Sequence, residues 1–487
     1  MMIAGEKGRG RSGLRSLAAA FAAGAFAVLS SCAVGPDYRK PELQAPAAYK
    51  ENVDWKVAQP KETVVRGAWW KIFKDPQLDA LEEQVNISNQ TVAAAEAQYR
   101  QALALVRAAR AGYFPTVTAG AQATRSLRSS NANSVAVVTS EANDFLVTGT
   151  ASWEPDIWGK VRRNVEANQA GAQASAADLE SIRLSTQALL AQDYFQLCAL
   201  DAEKTLLDAT ISAYQKTLVL TKNRYAAGVA SRADVLLAET QLKTTQAQAI
   251  DLGVQRSQLE HAIAVLIGKP APVFSLPLTP LSAIPPDIPA GIPSELLERR
   301  PDIASAERRV AAANAQIGVA EAAYYPSITL GATGGFESSD ISNWLSWPSR
   351  LWSVGLSLTQ TVFDAGLRSA LTDQARAAYD GTVASYRQAV LTGFQEVEDN
   401  LAALRILEEE SRVQGEAVNA ARQSWQVSMN QYKAGTVSYL DVVVVQAILL
   451  SNERVAVDIS GRRMVAGVLL IKAIGGGWDV SALPSGN

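Results

Sequence analysis

Side chains suited to catalysis are scarce in this chain. Its 487 residues include one histidine and two cysteines. His261 stands in a helical run with Leu259, Ile263 and Leu266 nearby, a setting that predicts a buried or interfacial structural role rather than proton transfer. Cys198, in an Ala/Leu-rich run, reads as a small apolar packing residue. No P-loop, CxxC or HExxH pattern occurs, and the glycines of Gly331-Ala332-Thr333-Gly334-Gly335 fall in a strand pattern, predicting flat wall rather than a phosphate cradle. Glu408-Glu409-Glu410 reads as a solvated helix face. Arg299-Arg300 could bind anions, but the helix start at Pro301 accounts for the pair more simply. The patterns predict no enzyme, no metal site and no cofactor site.

The polar groups that do recur at fixed spacing are Tyr225, Gly228, Ser231 and Asp234, which return as Tyr432, Gly435, Ser438 and Asp441, each pair 207 positions apart. Ser-x-x-Asp is a capping box. The serine hydroxyl accepts from the backbone three residues on, and the aspartate accepts from the serine's own N–H. The glycine supplies the left-handed residue that ends a preceding helix. Each copy therefore predicts the tip of a helical hairpin.

Long helical runs on either side position these tips. Residues 160–227 and 367–434 carry small and apolar residues in steps of four and three, as in Leu179, Ile182, Thr186, Leu189 and Val390, Phe394, Val397, Leu401, Leu404, the spacing of a coiled-coil seam. At 1.5 Å per residue each run would extend about 100 Å. Helical periodicity also covers 76–112, stopping at Tyr113-Phe114-Pro115, and follows Arg300-Pro301-Asp302 to Tyr324-Tyr325-Pro326. After each stop the period changes to two. Val117, Ala119, Ala121 and Ala123 alternate with threonines and Gln122, and Phe145, Val147, Ala151 and Trp153 with Leu146, Thr148, Thr150 and Ser152. In the second half Ile328, Leu330 and Ala332 alternate with Ser327, Thr329 and Thr333, and Val354, Leu356 and Leu358 with Ser353, Ser357 and Thr359. The strands are expected at about 115–127, 145–157, 326–337 and 351–363. The chain thus reads as an internal duplication, with a first repeat at 76–268 and a second at 294–475. A linker at 269–293 separates them, and eight of the 19 prolines fall in 270–293; a tail follows at 476–487.

The N-terminus reads as an export signal over 1–31: Lys7, Arg9, Arg11 and Arg15, then an apolar stretch over 17–29. Leu29-Ser30-Ser31-Cys32 resembles a bacterial lipobox, in which the cysteine is acylated and becomes the new N-terminus. Ala33, in place of an aspartate, argues against retention in the inner membrane. Removing the signal moves the formal charge from -3 to -6, which leaves no basic footprint for nucleic acid. Residues 32–75 are polar and proline-punctuated and are expected to run extended, closing on the aromatic anchor Trp69-Trp70 before a helix start.

No apolar run reaches the roughly 18 residues of a membrane-spanning helix. The strands, however, each have one apolar and one hydroxyl-rich face, the alternation of a membrane barrel with a wet interior. Aromatics gather at their helix-proximal ends (Tyr113, Phe114, Trp158, Tyr324, Tyr325, Phe363) and toward the loops (Phe145, Phe336, Trp344, Trp347, Trp352), as two interfacial girdles would. A soluble sandwich with one solvated face explains the alternation but not these bands. Four strands cannot close a barrel in lipid, so the chain is expected to self-associate. A pore-free periplasmic coiled-coil lipoprotein is the alternative.

Cys32-Ala-Val-Gly-Pro-Asp-Tyr-Arg-Lys-Pro41, Trp69 to Leu78, Leu297-Glu-Arg-Arg-Pro-Asp-Ile303 and the two tips together resemble the outer-membrane efflux lipoproteins of the NodT and OprM branch of the TolC superfamily. The resemblance covers nearly the whole mature chain. It implies a mainly α-helical TolC-like protein whose homotrimer forms a 12-stranded barrel continued by a helical periplasmic tunnel. Implied partners are a membrane-fusion adaptor, an inner-membrane RND transporter and outer-membrane lipid. An exit duct for type I protein secretion is the alternative use of the same architecture. By the same resemblance the tunnel's periplasmic gate maps to Tyr432, Gly435, Ser438, Tyr439 and Asp441, with Tyr225, Gly228, Ser231, Arg232 and Asp234 on the first tip. Some relatives carry a further acid three positions after Asp441, where this chain has Val444. The aspartates would favour cations or have raised pKa values only if they point inward.

Overall fold

The computed structural model describes residues 33–42, 46, 48–51, 67–127, 129, 141–281, 285, 286, 288 and 298–484. The expected signal over 1–31, Cys32, and parts of the linker and tail lie outside the described residues. In chain order the elements are α1 (Pro76–Ser88), α2 (Gln90–Ala111), β1 (Thr116–Leu127), β2 (Glu141–Trp153), α3 (Lys160–Ala226), α4 (Arg232–Leu266), α5 (Pro301–Ala322), β3 (Ser327–Ser338), β4 (Arg350–Thr359), α6 (Leu367–Ala434) and α7 (Tyr439–Ala473).

The continuous helix expected over 76–112 is instead two. Asn89 interrupts it in an extended conformation, its side chain capping Val92 N–H at 2.9 Å and donating to Leu266 O at 2.7 Å. Ser88 Oγ donates to Ile267 O, so the break serves to lock the start of α2 onto the end of α4. Capping within the break is stronger here than helix propensity.

The helices α3 and α6 run for 67 and 68 residues. With their partners α4 and α7 they form two antiparallel hairpins, while α5 lies against both α3 and α6. The main core sits where these helices meet the chain's aromatic anchor. Trp69, Trp70 and Phe73 are buried among Leu78, Tyr194, Phe195, Ile263 and Ile471. Tyr194 Oη donates to Asp75 Oδ2 at 2.7 Å and Trp69 Nε1 to Gln187 Oε1 at 3.2 Å, whereas the buried Trp70 Nε1 makes no hydrogen bond in the single chain. Arg300 is not a free anion site. It is buried, pairs with Asp302 and Glu396 at 2.6 Å each, and donates to Ala473 O at 3.0 Å.

The four strands form one antiparallel sheet in the order β1-β2-β3-β4. Its register carries each face across the whole sheet. Val117 opposes Ala151, Ala151 opposes Ala332, and Ala332 opposes Val354; on the other face Thr118, Thr150, Thr333 and Ser353 line up the same way. Because residues directly opposite share a face, the period-two patterns of the four strands add into one apolar and one hydroxyl surface. The apolar side is open in the single chain: Val354, Leu356 and Leu358 are all exposed.

Three strand limits differ from expectation. β2 begins at Glu141, opposite Leu127, and ends at Trp153 rather than 157; Pro155 follows and lacks an N–H for the ladder. β4 ends at Thr359 rather than 363, because its partner β3 begins at Ser327 and no strand lies opposite the next residues.

Candidate functional site at the paired hairpin tips

Both tips close as the sequence motif dictates. At the first, Gly228 takes φ +72° and Val229 and Ala230 donate to Arg224 O; at the second, Gly435 takes φ +79° and Thr436 donates to Gln431 O. A left-handed glycine lets these last carbonyls be satisfied without a Cβ clash. Ser231 then opens α4, accepting from Asp234 N–H at 3.1 Å while Asp234 Oδ2 accepts from Ser231 N–H at 2.9 Å. Ser438 opens α7 in the same way, and its hydroxyl also donates to Asp441 Oδ2 at 2.7 Å.

The two tips are joined across the chain. Tyr432 and Tyr439, both buried, lie 5.4 Å apart by ring centroid and pack with Tyr214, Leu218, Leu242, Met429 and Val442. Burial pushes the Tyr439 phenol well above its ordinary range, so it stays neutral. Over Tyr432 lies the Arg224 guanidinium, 4.7 Å from the ring centroid. Its Nη1 donates to Tyr432 O at 3.1 Å and Lys433 O at 3.4 Å, which are terminal carbonyls of α6. Thr221 Oγ1 approaches Tyr432 Oη at 3.4 Å. One cation on the first hairpin thus holds the aromatic and the negative helix end of the second.

The expected site residues therefore divide in two. Tyr432 and Tyr439 form the buried seam between hairpins. Tyr225, Ser231, Arg232, Ser438, Asp441 and Val444 are exposed, and Asp234 is half-buried. Arg224 was not expected. Its signal was the asymmetry between Arg224 and its counterpart Gln431 in an otherwise matched motif. Elsewhere, His261 is exposed in the single chain rather than buried, and burial pushes the Cys198 thiol up to about 12, as suits a packing residue. Among the described residues no group of three His, Cys, Asp or Glu side chains is placed to hold a metal ion. No described helix is long and apolar enough to cross a membrane.

A long double-hairpin helical body, ending at one pole in capped tips and at the other in a sheet with one apolar face, is the architecture of a known group of proteins. The profile of the family described as Outer membrane efflux protein matches residues 81–269 and 292–476. The chain belongs to this family. It is similar to the probable efflux pump outer membrane protein TtgC of Pseudomonas putida, at 30% identity over 93% of this chain and 94% of that one. It is also similar to the pyoverdine export outer membrane protein OpmQ of Pseudomonas aeruginosa, at 31% identity over 84% of this chain and 87% of that one. Among solved structures, the outer-membrane channel OprN superposes with a TM-score of 0.85 and 31% identity, covering 92% of this chain and all of that one. The open state of the Neisseria gonorrhoeae MtrE channel gives 0.81 at 26%, covering 92% and 99%. The fold is that of the TolC-like outer-membrane channels, and the protein is an outer-membrane efflux channel component.

Proposed function

We propose that three copies of this chain close a 12-stranded barrel in the outer membrane and continue it as a helical duct across the periplasm. One observation carries the reading: an antiparallel sheet with a continuous apolar face, a continuous hydroxyl face and two unpaired edge strands, β1 and β4. Open edges are not tolerated in lipid, and copies of the same sheet are the simplest way to remove them. The hydroxyl face then lines a wet lumen.

The paired tips act as the periplasmic gate, with Tyr432 and Tyr439 as its seam and Ser438, Asp441, Tyr225, Arg232 and Asp234 toward the opening. Cys32 carries the lipid that anchors the mature N-terminus. A periplasmic adaptor and a proton-driven inner-membrane transporter of the RND type engage the tips, and small molecules pass through without being chemically changed, so the chain is no enzyme. The relatives are named for antibiotics, toluene, solvents and pyoverdine, which favours small molecules over protein cargo. Planar-bilayer recordings on the purified full chain test the duct. Discrete conductance steps are expected, and a protein that binds membranes without conducting would overturn it.

A further inference from the structure

Within the chain, β1–β2 and β3–β4 are hairpins, but β2 and β3 come from different repeats and are paired without a covalent turn. What lies at the base of that pairing is the segment directly after Cys32. Val34 N–H donates to Trp158 O at 3.1 Å, and Trp158 in turn stacks on Tyr325 and donates Nε1–H to Pro326 O at 2.7 Å, one residue before β3. The buried Arg163, near the start of α3, donates to Val34 O at 3.2 Å, Gly35 O at 3.2 Å and Asp37 Oδ1 at 2.9 Å. From the other repeat, Asn314 of α5 donates to Pro36 O at 2.8 Å, Tyr38 Oη donates to Glu307, and Arg308 lies over the Tyr38 ring. Gly35, at φ +96°, meets Gly318 of α5 backbone to backbone. A Cβ on Gly35 would come within 2.4 Å of Gly318 Cα, and one on Gly318 within 2.9 Å of Val34 O.

We propose that residues 33–38 are a clasp that ties α3 of the first repeat to α5 of the second and so holds the non-covalent β2–β3 pairing closed at its base. Arg163 is its positioning residue: one guanidinium satisfies two backbone carbonyls and a carboxylate of a segment that has no ladder of its own. The mature N-terminus is thereby a structural part of the sheet junction, whether or not Cys32 is acylated.

The test is amide hydrogen exchange on the purified full-length channel carrying Gly35→Ala, a change that lies outside every helix and strand and presses the strap away from Gly318 of α5. Exchange is expected to accelerate about tenfold in peptides covering 145–160 and 322–338, with the tip peptides around 225–235 and 432–442 unchanged. Unchanged exchange at 322–338, or a uniform rise over the whole chain, would overturn the clasp. Should Gly35→Ala not yield assembled protein, Asn314→Ala removes one hydrogen bond to the strap and should give a smaller acceleration confined to the same peptides; its absence there counts equally against the proposal.

Discussion

At the scale of single residues, the proposed gate is a matter of which polar groups at the tips are already committed. Asp441 Oδ2 is occupied by Ser438, so its capping duty is visible in the geometry. Asp441→Ala should cost about 0.3–1 kcal/mol of helix-start stability by removing the first-turn carboxylate that accepts from Ser438 N–H. It should also raise single-channel conductance through loss of the carboxylate; unchanged conductance would leave the cap as its whole role. Arg224→Ala removes the cation from Tyr432 and from the end of α6, and should raise conductance while leaving both capping boxes intact. A second residue sets a pH dependence. Glu82 lies on the buried stripe of α1 with Leu78, Leu81 and Val85, and both its carboxylate oxygens lack a partner. Burial raises its pKa well above the carboxylate range. Since the folded protein then holds a proton that the unfolded chain releases above about pH 4.3, this site costs no stability in acid. The cost grows as pH rises toward the folded pKa. Glu82→Met should raise the thermal midpoint at pH 8 and leave it close to the parent's at pH 4; an equal gain at both values would contradict this. The capping boxes and turn glycines were legible in the sequence because their partners lie three residues away. Arg224 and Arg163 were not, because their partners lie more than a hundred residues away and only the fold brings them together.

The elements were legible wherever periodicity alone decides them. The step-of-four seam marks α6, where Val390, Val397, Leu401 and Leu404 are buried, and the step-of-two alternation marks all four strands, whereas α3 is buried on several sides and Leu189 of its expected seam is exposed. Their limits were legible only where the stop is local, as at Gly366 before α6 or Pro115 before β1. The far ends of β2 and β4 depend on where the neighbouring strand begins, and the break at Asn89 depends on the distant end of α4. The register makes a sharp contrast between adjacent residues. Val354 belongs to the apolar face and Ser353 to the hydroxyl face. Val354→Lys should cost about 2–4 kcal/mol if it meets lipid near the bilayer midplane and should deplete assembled channel from the outer-membrane fraction. Ser353→Lys, facing the lumen, should assemble normally and alter ion selectivity. Equal effects of the two substitutions would mean that the sheet does not separate lipid from water.

For the whole molecule, duplication explains why one chain can reach from membrane to tip twice. Gln90 and Pro301, like Thr116 and Ser327, are 211 positions apart, whereas Lys160 and Leu367 are 207 apart, so from the starts of α2 and α5 onward the two repeats differ in length mainly across the strand hairpins, while α1 has no counterpart among the described elements of the second repeat. The helical hairpins are thus matched residue for residue, as two staves of one wall must be, while the membrane loops are free to differ. Yet the same plan leaves the sheet with two edges that the chain itself cannot pair. That deficit was countable in the sequence; the continuity of the two faces across β2 and β3, which makes the sheet a wall, needed the register. Native mass spectrometry of the detergent-solubilised protein tests the consequence most directly. The account predicts a single dominant species of three chains that retains its β-structure, and a stably folded species of one chain would contradict it.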